Sequence, residues 1–158
     1  MSHHGQQSAT SDILQLVCFR VGAEEYGIDI MRVREVVPAL PITRVADAPA
    51  FLEGVIELRG ALFGVVDLRR RLGVTTPAGT AQQRYVVAWM HGRSLGLVVD
   101  GVTEVRRIER ARVAPLAVAA PGAGRLLAGV ARLDDGVVLV MELDHLLTNA
   151  EQAALGAA

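Results

Sequence analysis

Tyr26-Gly27-Ile28-Asp29-Ile30 and Leu95-Gly96-Leu97-Val98-Val99 are two versions of one segment, and their kinship decides the fold. Each surrounds a glycine with apolar residues in the spacing of a β-strand. Carried forward, the alignment brings Val33 onto Val102, Glu35 onto Glu104 and Val36 onto Val105. Further on, Gly54-Val55 matches Gly129-Val130, Leu58 matches Leu133, and Val65-Val66-Asp67-Leu68 matches Val140-Met141-Glu142-Leu143. The offset is 69 residues early and 75 later, consistent with a loop insertion between the two blocks. The chain is internally duplicated.

The flanking sequence fills in both copies. Gln15 to Val21 alternates, with Val17, Phe19 and Val21 on one face and Leu16, Cys18 and Arg20 on the other. A turn at Gly22 leads to the Tyr26–Ile30 strand, and Pro38 and Pro41 then interrupt the chain. Asp47-Ala48-Pro49 reads as an acidic cap with proline in the first turn, opening a brief helix from Pro49 to Glu53 that ends at Gly54. Strands Val55–Leu58 and Leu62–Leu68 are joined at Arg59-Gly60. Gly73 to Gln83, rich in Gly, Thr, Pro, Ala and Gln, is a linker, after which Tyr85–Met90 restarts the pattern. His91-Gly92 and Asp134-Asp135-Gly136 read as hairpin turns, the latter because Asp-Gly supplies positive φ readily. Asp144 to Leu147 forms a turn, and Thr148 to Glu151 resembles a capping box before Gln152–Leu155.

About five short strands per half, punctuated by turns, predict an all-β chain of small barrels. Halves of roughly 65 residues bury little core alone, so two barrels are expected to share an apolar interface. A single barrel of eight to ten strands is the alternative. The expected boundaries are a tail over 1–14, a first barrel mainly over 15–72, a linker over 73–83, a second barrel mainly over 84–143 and a C-terminal helix over 144–155.

Composition excludes several functions. A net charge of −1 gives no global attraction to nucleic acid or anionic membrane. All 16 basic residues are arginine, a uniformity that a compositional bias explains most simply. Cys18 is the single cysteine, so neither an intramolecular disulfide nor a zinc cluster is expected, and its apolar run makes it a buried thiol. Met1 to Asp12 has neither the basic start nor the apolar stretch of a signal peptide, and no apolar run is long enough to span a bilayer. A cytoplasmic protein without membrane insertion is expected. His3 and His4 fall in the polar tail, and His145 in the last helix reads as a surface residue. No metal motif, nucleophile elbow or P-loop occurs, and Gly122-Ala123-Gly124 is a weak phosphate cradle. No cofactor and no catalytic residue is expected. The arginines at 69–71 and at 106, 107, 110 and 112 invite a reading as two nucleic-acid-binding barrels. With few aromatics, and those mostly in core-like runs, solvated faces or ion-pair partners are the preferred account.

Function is sought where the copies differ. Arg59-Gly60-Ala61 occupies the turn that holds Asp134-Asp135-Gly136 in the second copy, and arginine is poorly suited to a tight turn. A locally disfavoured residue of this kind points to function. Glu35 has a like residue in Glu104, yet only the first copy supplies an arginine to answer it. A Glu35–Arg59 ion pair at the edge of the first barrel is therefore expected. Val33, Val36, Val37 and Leu40 beside it suit either a groove for a partner helix or ordinary core.

Glu24-Glu25-Tyr26-Gly27-Ile28-Asp29-Ile30, Thr43-Arg44, Pro49-Ala50-Phe51, Gly54-Val55, Leu58-Arg59-Gly60, Val66-Asp67-Leu68-Arg69 and Val98-Val99-Asp100-Gly101-Val102, in this order, resemble the chemotaxis coupling protein family, CheW. The resemblance runs from about Leu16 to Leu155. It implies two five-stranded SH3-like β-barrels packed around a shared hydrophobic interface, with short helices and a C-terminal helix. It implies a scaffold that couples the cytoplasmic tip of methyl-accepting chemoreceptors to the regulatory domain of the histidine kinase CheA, recruited to membrane-associated receptor arrays. Receptor contact is implied at Val33, Glu35, Val36, Gly54, Leu58, Arg59 and Val99, and the family's glutamate–arginine pair falls on Glu35 and Arg59. Glu57 and Gly64 depart from the asparagine and proline common in the family. With no receiver domain in the sequence, neither the phosphorylatable coupling variant nor the kinase is expected.

Overall fold

A computed structural model describes residues 12–76, 81–116 and 126–157. His3, His4 and Gly122-Ala123-Gly124, with most of the tail and part of the linker, lie outside the described residues. Among the described residues, eleven strands form two sheets. The first half contributes β1 (Ile13–Val21), β2 (Glu24–Asp29), β3 (Val33–Pro38), β4 (Leu52–Leu58) and β5 (Ala61–Asp67). The second contributes β6 (Arg84–Met90), β7 (Arg93–Val99), β8 (Gly101–Glu109), β9 (Val113–Pro115), β10 (Leu127–Leu133) and β11 (Gly136–Met141). Helices α1 (Leu68–Arg71) and α2 (Asn149–Ala157) follow β5 and β11.

The sheets do not follow the halves. One has the order β3-β6-β7-β5-β4 and the other β8-β1-β2-β11-β10-β9. Each half lends its first hairpin to the other's sheet, which corrects the expectation of a first barrel mainly within 15–72 and a second within 84–143. The exchange respects the duplication residue by residue. Gly64 and Val65 pair in parallel with Leu95 and Gly96, and their counterparts Leu139 and Val140 pair with Tyr26 and Gly27. Strand patterning specifies which face of a strand is apolar and leaves its partner open.

Both sheets curl. β8 and β9 lie at opposite edges of the six-stranded sheet, yet only the 3-10 turn Arg110–Arg112 joins them. Three residues reach about 10 Å at most, so the edges must approach each other. In the five-stranded sheet, Thr43 beyond β3 exchanges two backbone hydrogen bonds with Val55 of β4, at 2.9 and 2.8 Å. Neither sheet is hydrogen-bonded into a closed cylinder among the described residues. The sixth strand, β9, is the second copy's version of the Thr43 bridge.

Three apolar clusters follow. Val37, Ile56, Val65, Tyr85, Val87 and Val98 fill the first unit, and Leu16, Cys18, Ile108, Ala131, Val138 and Val140 fill the second. Between them lies the largest, including Val17, Phe19, Val21, Ile28, Val86, Met90, Leu97, Val99 and Leu155. Strands β1 and β6 therefore bury both faces, as Val17 and Phe19 face the shared interface while Leu16 and Cys18 face inward. Phe19 and Tyr26 stack there with ring centroids 6.3 Å apart. The expected interface between two units is present, and a single large barrel is ruled out.

Two helix expectations change. Pro49–Glu53 makes one turn, closed by Leu52 N–H on the Pro49 carbonyl, because β5 captures Leu52 and Glu53 into β4. Asp47 has φ of 63°, outside the extended range a helix cap requires. At the C-terminus, Leu143–His145 is a separate 3-10 turn, and α2 begins at Asn149. Its capping box is formed: Thr148 N–H donates to Glu151 Oε1 at 2.9 Å, and Glu151 N–H to Thr148 Oγ1 at 3.1 Å.

Candidate functional site

The Arg59-Gly60 turn joins β4 to β5 with φ of 53° and 80°, a two-residue hairpin with both central residues left-handed. Glycine accepts that geometry freely, whereas arginine gives up about 1–2 kcal/mol. In the second copy, Asp134 and Asp135 keep negative φ and only Gly136, at 146°, is positive, so the expected role of Asp-Gly rests on the glycine alone. Arg59 thus holds a strained position that its counterpart does not share.

The strain aims its guanidinium at Glu35. Arg59 Nη1 donates to Glu35 Oε2 at 2.7 Å. The Arg59 side chain is 72% exposed and that of Glu35 29%. The Arg59 hydrogen bond holds the Glu35 carboxyl below its ordinary value, and Glu35 raises Arg59 in turn. An exposed pair contributes little to stability, so its effect is to fix a surface.

A β-bulge puts Glu35 in place. Val33 pairs with Ala88 and Glu35 with Val87, leaving Arg34 as the extra residue. Arg34 Nη1 reaches across β6 to Ser94 Oγ at 2.8 Å, and Ser94 is the cross-strand partner of Trp89. The aromatics were expected mostly in core-like runs, yet Trp89 is 47% exposed. It shares the inward parity of Tyr85 and Val87 but lies at the rim, one residue before the last of β6. Its closeness to the His91-Gly92 turn is the sequence signal that marks a rim position.

The expected contact residues separate by burial. Glu35, Arg59 and Val36, at 40% exposure, are accessible, while Leu58 is half-buried against the first unit's interior and Val33 against the shared interface. Val99 is fully buried in that interface, so no partner reaches it in this structure. Gly54 is also buried, with φ of 150°, and a Cβ there would lie 2.3 Å from the Thr43 carbonyl oxygen. Its counterpart Gly129 would meet the Ala114 oxygen at 2.7 Å. Both glycines admit the segment that bridges the sheet edges.

Arg69, Arg70, Arg71 and Arg106 of the arginine clusters have local carboxylate partners. Arg69, almost fully buried, pairs with Asp100, which also accepts Gly22 N–H at 2.6 Å. Arg70 meets Glu53 at 2.5 Å, and Arg71 meets Glu151. Arg106 contacts Glu25 and Asp135 at 3.2 Å and Glu104 at 3.8 Å. Cys18 is buried, and desolvation pushes its thiol up to about 12. No group of three metal-ligating side chains occurs among the described residues, and none of their helices is long and apolar enough to cross a membrane.

Residues 15–151 match the family model described as CheW-like domain. The chain is 34% identical to the chemotaxis protein CheW of Rhizobium meliloti over 141 residues, covering 89% of this chain and 91% of that protein. It is 29% identical to protein FrzA of Myxococcus xanthus, covering 89% of each. The scaffolding protein TtCheW from Thermoanaerobacter tengcongensis superposes with a TM-score of 0.79 at 31% identity, covering 87% of this chain and 94% of that one.

Proposed function

The chain belongs to the CheW-like domain family, and from that premise we propose that it is a non-catalytic adaptor coupling methyl-accepting chemoreceptors to the histidine kinase CheA. The observation that carries the reading is the Arg59–Glu35 pair, a strained arginine held at 2.7 Å from its carboxylate on an accessible edge. The receptor's cytoplasmic tip docks there on Glu35, Arg59 and Val36, with Val33 and Leu58 beneath them. Val99 and Gly54 act indirectly, the first through the packing of the two units and the second through the bridge at Thr43. The kinase regulatory domain binds another surface, so both partners are held at once. Each contact is modest, and multivalent assembly in receptor arrays supplies the strength. The protein works in the cytoplasm and reaches the membrane through these partners.

The nucleic-acid reading has less support, since Arg69, Arg70, Arg71 and Arg106 are already engaged by carboxylates. Co-purification tests the proposal. The full chain should retain both a kinase regulatory domain and a receptor tip fragment. Retention of neither, with salt-sensitive retention of a single-stranded oligonucleotide, would reverse the choice.

A further inference from the structure

The two copies differ at a second place on the same rim. Trp89 stands where the second unit has Arg20, and its partner Ser94 stands where that unit has Glu25. In the second unit Glu25 is taken by Arg106, which also reaches Asp135 and Glu104, so that rim is closed by its own charges. In the first unit no carboxylate replaces Ser94. Arg34 donates to it, Arg59 donates to Glu35, and Trp89, the cross-strand partner of Ser94, is left half exposed at this end of the sheet. Two guanidinium groups against one carboxylate leave this rim with an excess positive charge. Tryptophan and arginine together are the residues most enriched where interfaces concentrate their affinity.

Deepening the receptor reading and resting on it, we propose that Trp89 is the aromatic anchor of the docking site and determines its specificity. The hairpin β6–β7, lent by the second half, carries it into a site otherwise built from the first. The partner surface it fits is an α-helical hairpin that presents an apolar side chain to the indole and carboxylates to Arg34 and Arg59. Such a site is composite: Glu35 and Arg59 give orientation, and the indole gives contact area.

Trp89 is the only tryptophan of the chain, so its emission reports the event without a label. A receptor fragment containing the cytoplasmic hairpin tip is titrated into the full-length protein, with calorimetry run in parallel. The expected result is a blue shift that saturates with the calorimetric curve. Trp89→Ala should weaken binding by about tenfold or more, with Trp89→Phe recovering part of the loss. Unchanged thermal melts in both variants separate this effect from misfolding. Calorimetric binding with no change in emission, and undiminished binding by Trp89→Ala, would overturn the role of Trp89 while leaving the adaptor reading intact. Absence of binding by either method would overturn the receptor reading and this inference with it.

Discussion

Arg59 combines an unfavourable backbone with an exposed ion pair, a combination that adds little to folding. Arg59→Gly should therefore leave the melting temperature unchanged or slightly higher, since glycine takes φ of 53° without strain. The same variant should lose receptor binding. Thermal unfolding and a binding titration on one preparation check both halves of this expectation. The Glu35 carboxyl is held low by Arg59, so its contribution is present above the ordinary carboxylate value and is lost as pH falls through the depressed one. Receptor binding should accordingly be flat across neutral pH. Cys18 behaves oppositely. Its folded thiol is raised to about 12 from an ordinary 9.0, so stability should decline as pH rises above about 9. Cys18→Ala should flatten that alkaline decline, and a thiol reagent should label the wild type only on unfolding. Of the site residues, the Glu35–Arg59 pair was legible in the sequence: comparing Arg59 with Asp134 pointed to it because a turn demands specific chemistry. Trp89 escaped because alternation gives the face of a strand and not how far along it the barrel covers that face.

At the scale of elements, the glycines that open β4 and β10 matter more for folding than for contact. Gly54→Ala would drive a Cβ against the Thr43 carbonyl and should cost about 1–3 kcal/mol by overpacking. Denaturant unfolding measures the loss. If Gly54 instead contacts the partner directly, the variant should keep its stability and lose binding alone. The bridge that makes Gly54 necessary was invisible in the sequence, because Thr43 and Val55 pair across a connection with no strand pattern of its own. The brief helix expected over Pro49–Glu53 failed for a related reason. Its cap and proline were local signals, and the β4–β5 ladder took its last two residues. The C-terminal capping box held because its two hydrogen bonds are local, and no sheet competes for Thr148 or Glu151.

For the whole molecule, the duplication was legible and the exchange of hairpins was not. About five strands per half follow from periodicity, against five and six among the described residues, and a shared interface follows from the small size of each half. The choice between a half's own hairpin and its sister's depends on geometry beyond the repeat. The exchange has a consequence that contiguous barrels would not share. Fragments 1–78 and 79–158 each lack a hairpin of their own sheet, so neither should fold alone. Mixed, they should recover strand circular dichroism and a cooperative melt; two barrels confined to their halves would fold separately. Exchange also makes the two units one body, with Arg69 and Asp100 pinning α1 to the corner between β7 and β8 and to the Gly22 turn.

On the proposed function, this body joins receptor to kinase through an edge set by Glu35 and Arg59. Kinase autophosphorylation in membranes reconstituted from receptor, kinase and this protein tests it most directly, with Arg59→Glu compared against wild type. Wild type should raise the activity severalfold, and Arg59→Glu should fail to do so while still co-sedimenting with the isolated kinase and melting normally. Full activation by the charge-reversed protein would mean that this edge plays no part in coupling.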